Sequence, residues 1–265
     1  MFATLLKRKV ATVFIIALFI STLLVTCFTH KVAASPTTIT SISSSSFPSS
    51  SKGYVGDIVR VNGTIDTANG ICKIFFDEKL MVNGTASQKI VYAMFFVPHS
   101  FQGNHTIRLY DQNSTASDSK NFTVLSKHYI DAIMPQQQTQ LMEGQSVTIK
   151  VNVTGGEANK PYLANVTVKP PYPSDTVYYN SSLQLVNTTR PGEYIAEIIY
   201  PRDFGSGAHT NYVGNYTIAF NCTATDLKKG FFMVGLTNAT EYHRFNTVAI
   251  QGANYKPDER VWINI

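Results

Sequence analysis

The stretch GNHTIRLYD at residues 103–111 returns almost unchanged as GNYTIAFNC at residues 214–222, so the chain writes one strand twice. Each copy follows an alternating apolar run and a proline, IVYAMFFVP in the first and YIAEIIYP in the second. The repeated unit therefore reads as a hairpin-like pair of strands, with His105 and Tyr216 at equivalent positions. Pro98 and Gly103 are five residues apart, whereas Pro201 and Gly214 are thirteen apart, so the second copy carries the longer loop. Loops absorb such insertions and paired strands do not.

Period-two alternation recurs through the rest of the chain. Val59 and Val61 alternate with Arg60 and Asn62, Ile107 and Leu109 with Thr106 and Arg108, and Phe122 and Val124 with Asn121 and Thr123. Such runs are half-buried strands, and turn segments such as DTANG, MVNGTA and SFQGN separate them. Many short strands between frequent turns imply an all-β chain of tandem antiparallel sandwiches. A second repeated signal, GDIVRVNG at 56–63, GQSVTIKV at 144–151 and FNTVAIQG at 245–252, reads as the opening of three modules. The third opening has no matching G-N-x-T-I strand, so residues 241–265 read as the first strands of an incomplete module with a turn over Gly252–Pro257.

The amino terminus gives an address. Lys7, Arg8 and Lys9 precede the apolar run Val10 to Phe28, and Val32 and Ala34 are small residues flanking a cleavage position. Residues 1–34 are thus either a cleaved signal peptide or a membrane anchor, since nineteen helical residues at about 1.5 Å each nearly span a bilayer core. LVTC around Cys27 only loosely resembles a lipobox. In each case the remainder lies outside the cytoplasmic membrane. Residues 35–52, SPTTITSISSSSFPSSSK, hold few large apolar side chains and read as a disordered Ser/Thr-rich stalk.

The net charge of +5 does not imply a nucleic-acid partner, because Lys7, Arg8, Lys9 and Lys31 supply four of those charges and leave about +1 on the exported part. Cys72 and Cys222 fall in separate modules and read as mostly buried thiols without metal-site spacing.

G-x-x-V-x-V-x-G, a Val-Pro loop, G-N-H-T-I-x-L-x-D and a closing F-T-V together resemble the Ig-like modules, of IPT/TIG and related types, of bacterial and archaeal cell-surface proteins. The resemblance covers residues 53–126 best. Residues 129–240 match more loosely through Pro191-Gly192-Glu193-Tyr194, with extra loops at 155–162 and 170–176, and residues 241–265 resemble another module opening. It implies stalk, adhesion or envelope roles.

N-x-S/T is the strongest chemical signal. Twelve of eighteen asparagines sit in that context, where chance would place roughly three: Asn62, Asn83, Asn104, Asn113, Asn121, Asn152, Asn165, Asn180, Asn187, Asn215, Asn221 and Asn238. Within clear strands the asparagine falls on the polar face, as a glycan requires. The competing explanation is that Thr favours strands and Asn favours turns, so exposed β-faces create sequons without sugar.

No catalytic, cofactor or metal residues emerge. The histidines His30, His99, His105, His128, His209 and His243 are scattered, and Asp66 with Asn69, Asp77 with Glu78, and Asp258 with Glu259 lack an EF-hand pattern. KPPYPSD at 169–175 reads as a rigid insertion, with Tyr172, Tyr178 and Tyr179 beside it. The sequence thus points to an exported, N-glycosylated, non-enzymatic surface protein for spacing or adhesion. Its partners are the membrane, if the amino-terminal segment is retained, and the cell envelope or other surface proteins. Two alternatives stay open: the non-catalytic front of a larger exported enzyme or receptor, and a carbohydrate- or peptide-binding module.

Overall fold

The computed structural model describes residues 36–135, 138–171, 177–222, 227–253 and 260. The signal peptide or anchor expected over 1–34 lies outside them. Among the described residues there is no helix, and the chain forms two β-sandwiches in series.

In the first sandwich, β1 (Thr38–Ser44) and β6 (Ile90–Phe96) flank β3 (Ile58–Thr64) in one antiparallel sheet. The facing sheet runs β2 (Lys52–Tyr54), β8 (Ser117–Leu125), β7 (Gly103–Asp111), β4 (Ile71–Phe76) and β5 (Lys79–Thr85), with β2 parallel to β8. Alternation decides what lies between them: Val59, Val61, Ile74, Phe76, Val91, Phe95, Ile107, Leu109, Phe122 and Val124 share one core. Their chain neighbours Asn62, Tyr92, Thr106 and Asn121 point to solvent, as a period of two demands.

The second sandwich repeats this order. Strand β11 (Val147–Thr154) pairs with β9 (Lys127–Ile133) and β14 (Tyr194–Tyr200). The opposite layer runs β10 (Leu141–Met142), β16 (Leu227–Gly235), β15 (Gly214–Asn221), β12 (Tyr162–Lys169) and β13 (Tyr179–Asn187), with β10 parallel to β16. The last two residues of β13, Val186 and Asn187, cross over to pair with β14 and join both layers into one continuous order. Tyr200, Tyr216, Phe220 and Phe232 fill its core, with the rings of Tyr216 and Phe232 stacked at 4.9 Å.

Four expectations are corrected. The repeated unit is not a hairpin, because β6 and β7 lie in different sheets, and β14 and β15, though part of one continuous strand order, lie in opposite layers and pair with other strands. It is the arch that carries the chain from one layer to the other, which accounts for its apolar content on both sides of the loop. The stalk expected over 35–52 is not disordered across its described residues, 36–52, since β1 pairs with β3 over six register positions. Ile39 and Ile42 are the only large apolar residues there besides Phe47, yet both are buried, and backbone pairing needs nothing from the serines. Gly63 permits this approach, because a β-carbon at that position would sit 2.5 Å from the Thr38 carbonyl oxygen.

The GDIVRVNG and GQSVTIKV segments are accordingly interior strands, β3 and β11, each preceded by two others, and the second sandwich begins at Lys127. The expected opening strand at 245–252 is likewise a single bridge, Thr237 to Ile250, among the described residues. Gln251 donates through its backbone to Leu236 (2.9 Å) and through its side chain to the Glu143 carbonyl (2.9 Å), and the Ala253 N–H meets the Glu143 carboxylate at 2.8 Å. The segment up to 253 thus folds back on the second sandwich, which supplies the partners a lone two-stranded piece lacks. Most of the expected Gly252–Pro257 turn lies outside the described residues.

Cys72 packs in the first core and Cys222 against the second, and neither forms a disulfide. Burial pushes the Cys72 thiol up. Asp111, at the position matching Cys222, is fully buried. It accepts the Thr67 and Asn113 N–H groups at 2.9 Å and the Ser114 hydroxyl at 2.8 Å. Burial alone would raise its pKa, but these hydrogen bonds outweigh it and hold the carboxyl below the usual range.

Ile107→Ala and Ile218→Ala should each cost about 2–5 kcal/mol by urea unfolding, and Thr106→Asp far less than Ile107→Asp. Asp111 has its folded pKa below the unfolded value of about 3.9, so its contribution is present above that pH and lost as pH falls through the folded value. Urea midpoints of Asp111→Asn should accordingly fall less steeply than wild type as the pH is lowered below about 4.

Candidate functional site

None of the twelve sequon asparagines is buried. Asn62, Asn83, Asn104, Asn113, Asn121, Asn165, Asn180, Asn187 and Asn215 are exposed, and Asn152, Asn221 and Asn238 are half-buried. Antiparallel pairing brings several of these sequons together reciprocally. Asn104 stands opposite Thr123 while Thr106 stands opposite Asn121, so the sequons of β7 and β8 face each other. The Thr123 hydroxyl donates to the Asn104 amide oxygen at 2.9 Å.

The arrangement recurs between β12 and β13. There the Thr167 hydroxyl donates to the Asn180 oxygen and the Ser182 hydroxyl to the Asn165 oxygen, both at 2.6 Å. Asn and the hydroxyl residue are two apart and share a face, so a register that sets one asparagine opposite the other triplet's hydroxyl residue makes both ends meet, whereas across β12 and β15 the register sets Asn165 opposite Asn221 instead. In these three bonds the amide oxygen is the acceptor, which leaves the nitrogen that would carry a glycan outside the bond. Asn62 differs, since its nitrogen donates to the Ser41 hydroxyl at 2.9 Å. Sequence reasoning found the polar face but missed the reciprocal pairing, which needs the strand order.

The second concentration of specific contacts lies where the sandwiches meet. Only Ser126 separates β8 from β9. The loop 97–102, at the end of the first sandwich where β8 finishes, touches two loops at the end of the second where β9 starts. The Gln102 N–H donates to the Gly156 carbonyl at 3.0 Å, and Gly156 donates to Gly192 at 2.9 Å. Gly155 and Gly192 both have positive φ, 62° and 73°. A β-carbon on Gly155 would lie 2.5 Å from the Leu125 oxygen, and one on Gly192 would clash with the Ser100 carbonyl. Glycine is required at both points by conformation and by space.

Each half of this junction is braced from behind. In the second sandwich the Tyr194 hydroxyl donates to the Glu157 carbonyl at 2.6 Å and the Glu157 N–H donates to the Tyr162 hydroxyl at 2.8 Å. Those two rings lie 4.8 Å apart and fix the 155–157 loop. In the first, His105 stacks on Phe76 with centroids 4.9 Å apart, meets the Asp77 carboxylate through Nδ1 at 2.8 Å, and reaches the Phe101 carbonyl through Nε2 at 2.9 Å. The equivalent Tyr216 hydroxyl accepts the Tyr212 N–H at 3.2 Å, again four residues back. Burial pushes the Tyr216 phenol up to about 12. His105 and Tyr216 thus do one job, closing the arch loop ahead of the repeated strand. The Lys127 ammonium lies over Tyr54 of the first sandwich (5.2 Å) and Tyr129 of the second (5.1 Å).

The remaining sequence candidates are dispersed. Asp77, Glu78 and His99 line a shallow depression of about 550 Å³ at the junction, with Pro191 on its far side. Among the described residues no group of three or more His, Cys, Asp or Glu converges on a common point. Asp66 and Asn69 lie in one turn without converging acids, whereas Asp258 and Tyr172 lie outside the described residues. Tyr179 packs against Tyr200 and His209 in the second core, while Tyr178 is exposed.

No protein-family model matches the chain, and no curated protein sequence does. Among solved structures it is similar to the fibronectin(III)-like modules of Clostridium thermocellum CbhA, at 11% identity over 78% of this chain and 100% of that one, with a TM-score of 0.23. It is similar also to a three-Ig titin structure, at 10% identity over 78% and 66% with a TM-score of 0.32. A chimeric titin tandem shows 12% identity over 75% and 98% with a TM-score of 0.22. These likenesses concern fold alone and do not single out the IPT/TIG type; the Ig-like assignment stands on the strand order above.

Thr167→Val removes both the acceptor context of Asn165 and the bond to Asn180. It should cost about 0.5–1.5 kcal/mol in unglycosylated protein by urea unfolding, and Thr167→Ser should recover most of that loss.

Proposed function

We propose that this chain is an exported, N-glycosylated spacer of the cell surface, non-enzymatic, whose two Ig-like sandwiches act as a stiff rod. The observation that carries this reading is the junction. A one-residue linker and two glycine-mediated backbone contacts, each braced by aromatic side chains, leave little freedom between the sandwiches. Interfaces between domains in one chain ordinarily permit relative motion; here a linker of one residue, with glycine backbones packed against the neighbouring loop, restricts it. Nine-residue strands at about 3.3 Å per residue make each sandwich about 30 Å long, so the pair in series spans roughly 60 Å. A rod of that kind holds whatever is attached to it at a set distance from the membrane.

The sequons support the same reading from another side. Twelve glycan acceptors spread over outer faces and turns would sheath the rod and protect it outside the cell. The amino-terminal apolar segment supplies either the export signal or the attachment, and the IPT/TIG-like resemblance fits an envelope setting.

Two measurements on the native exported protein test this. Its intact mass should exceed that of the processed polypeptide and fall to it on enzymatic or chemical deglycosylation; a native mass equal to the bare chain would remove the glycan part. Small-angle scattering should give one narrow end-to-end distribution, broadened in Gly192→Val with both sandwiches still folded. Equal breadth in the two proteins would defeat the rigid-spacer reading.

A further inference from the structure

Among the described residues, the six strands that end a sheet order are not equally protected. β2 and β10 are three and two residues long. β1 carries a register shift between Ile39 and Ser41. β5 begins with Lys79 and bears the Asn83 sequon, and β9 carries Lys127 and Asp131. Shortness, bulges and charge are the usual devices that keep an edge from pairing with another chain. β6, reading IVYAMFF, has no charge, no proline, no glycine and no recorded register shift.

That edge is apolar on its outer face as well. Ile90, Tyr92, Met94 and Phe96 are 63, 61, 51 and 64% exposed and form one stripe. Among the described residues, no backbone partner meets the outward groups of Tyr92, Met94 and Phe96. Val97 donates to Asp57 and accepts from Gly56, and Lys89 accepts from Ile65, so the odd-numbered residues of this strand direct their backbone groups towards β3. The groups of Tyr92, Met94 and Phe96 therefore point away from β3, while those of Ile90 are taken by Ser87.

We propose that β6 is a pairing edge for a second copy of this chain, joined antiparallel about a two-fold axis at Met94. In that register Met94 faces Met94 of the other copy and Tyr92 faces its Phe96. Every outward N–H and C=O of residues 92, 94 and 96 then finds a partner, and no other register uses them all. The strand is self-complementary, as an isologous interface requires, and the aromatic pairs fall where cross-strand side chains touch. The result is a six-stranded sheet running through both molecules, with the rods side by side.

Ile90, Tyr92, Met94 and Phe96 are half to two-thirds exposed, but pairing along an edge leaves the outer sheet face open, so only the flanks turned towards the other copy are buried and the contact stays below a standard stable interface of about 1,200–2,000 Å². The dimer is accordingly reversible and concentration-dependent.

Cysteine pairing in the full chain tests the register. Opposed residues in an antiparallel hydrogen-bonded pair have Cα atoms about 5.5 Å apart, within disulfide reach, whereas Tyr92 and its own copy would be about 14 Å apart. Met94→Cys should form a disulfide-linked dimer on mild oxidation. Tyr92→Cys and Phe96→Cys should each fail alone and cross-link when mixed. Wild type, with its native cysteines, and Thr106→Cys on the opposite sheet should stay monomeric under the same oxidant. Equal cross-linking by Thr106→Cys, cross-linking of Tyr92→Cys alone, capture of a different protein at position 94, or no cross-link at Met94→Cys would each overturn the proposal.

Discussion

The two-residue period of the strands is the constraint on which the rest of this structure depends. In the first sandwich it turns Ile107 and Leu109 inward and leaves Asn104 and Thr106 outside, and a slip of one residue would exchange the two sets. The same parity places Ile218 and Phe220 in the second core with Asn215 and Thr217 exposed. Because both sheets of each sandwich obey it, the apolar faces meet and the sequons are driven to solvent together. Core packing and the outward N-x-S/T pattern are two consequences of one register.

That register has to survive the passage from one layer to the other, and the arches between β6 and β7 and between β14 and β15 are where it is most exposed to error. Each arch is closed by the third residue of the repeated strand, His105 or Tyr216, bonding to the backbone four residues earlier. His105 adds the Asp77 contact and a stack on Phe76, so the loop it closes is held firmly enough to serve as a docking surface. The second sandwich meets that loop with Gly156 and Gly192, themselves backed by Tyr162 and Tyr194. Local closure of an arch and the contact between the two sandwiches therefore share a few backbone carbonyls.

On the outer faces, Asn–Thr and Asn–Ser hydrogen bonds across β7–β8 and β12–β13 support the sheet, and the residues that make them belong to N-x-S/T triplets. β6 departs from this pattern, since its outer face carries Ile90, Tyr92, Met94 and Phe96 in an unbroken apolar row, whereas exposed apolar residues such as Leu163 of β12 and Phe231 of β16 have polar residues beside them on the same face of their strands.

Alternation, turns and the repeated strand were legible in the residues because they are local, and with them the all-β class, the inward set and the outward asparagines. The hydroxyl-rich segment 38–44 was not legible as a strand, because its stability comes from pairing with β3 and from Gly63 opposite Ile39, both distant in sequence; the glycine leaves room for the Thr38 carbonyl. Nor could local pattern tell an arch from a hairpin: both read as strand, loop, strand, and only the partners of β6 and β7 distinguish them. The one-residue junction, the reciprocal sequons and the uncovered edge of β6 likewise depend on which strands lie side by side. Sequence determined which way each side chain faces, since that follows from a two-residue period; tertiary structure decided what each one faces, since that follows from contacts between segments the chain itself keeps far apart.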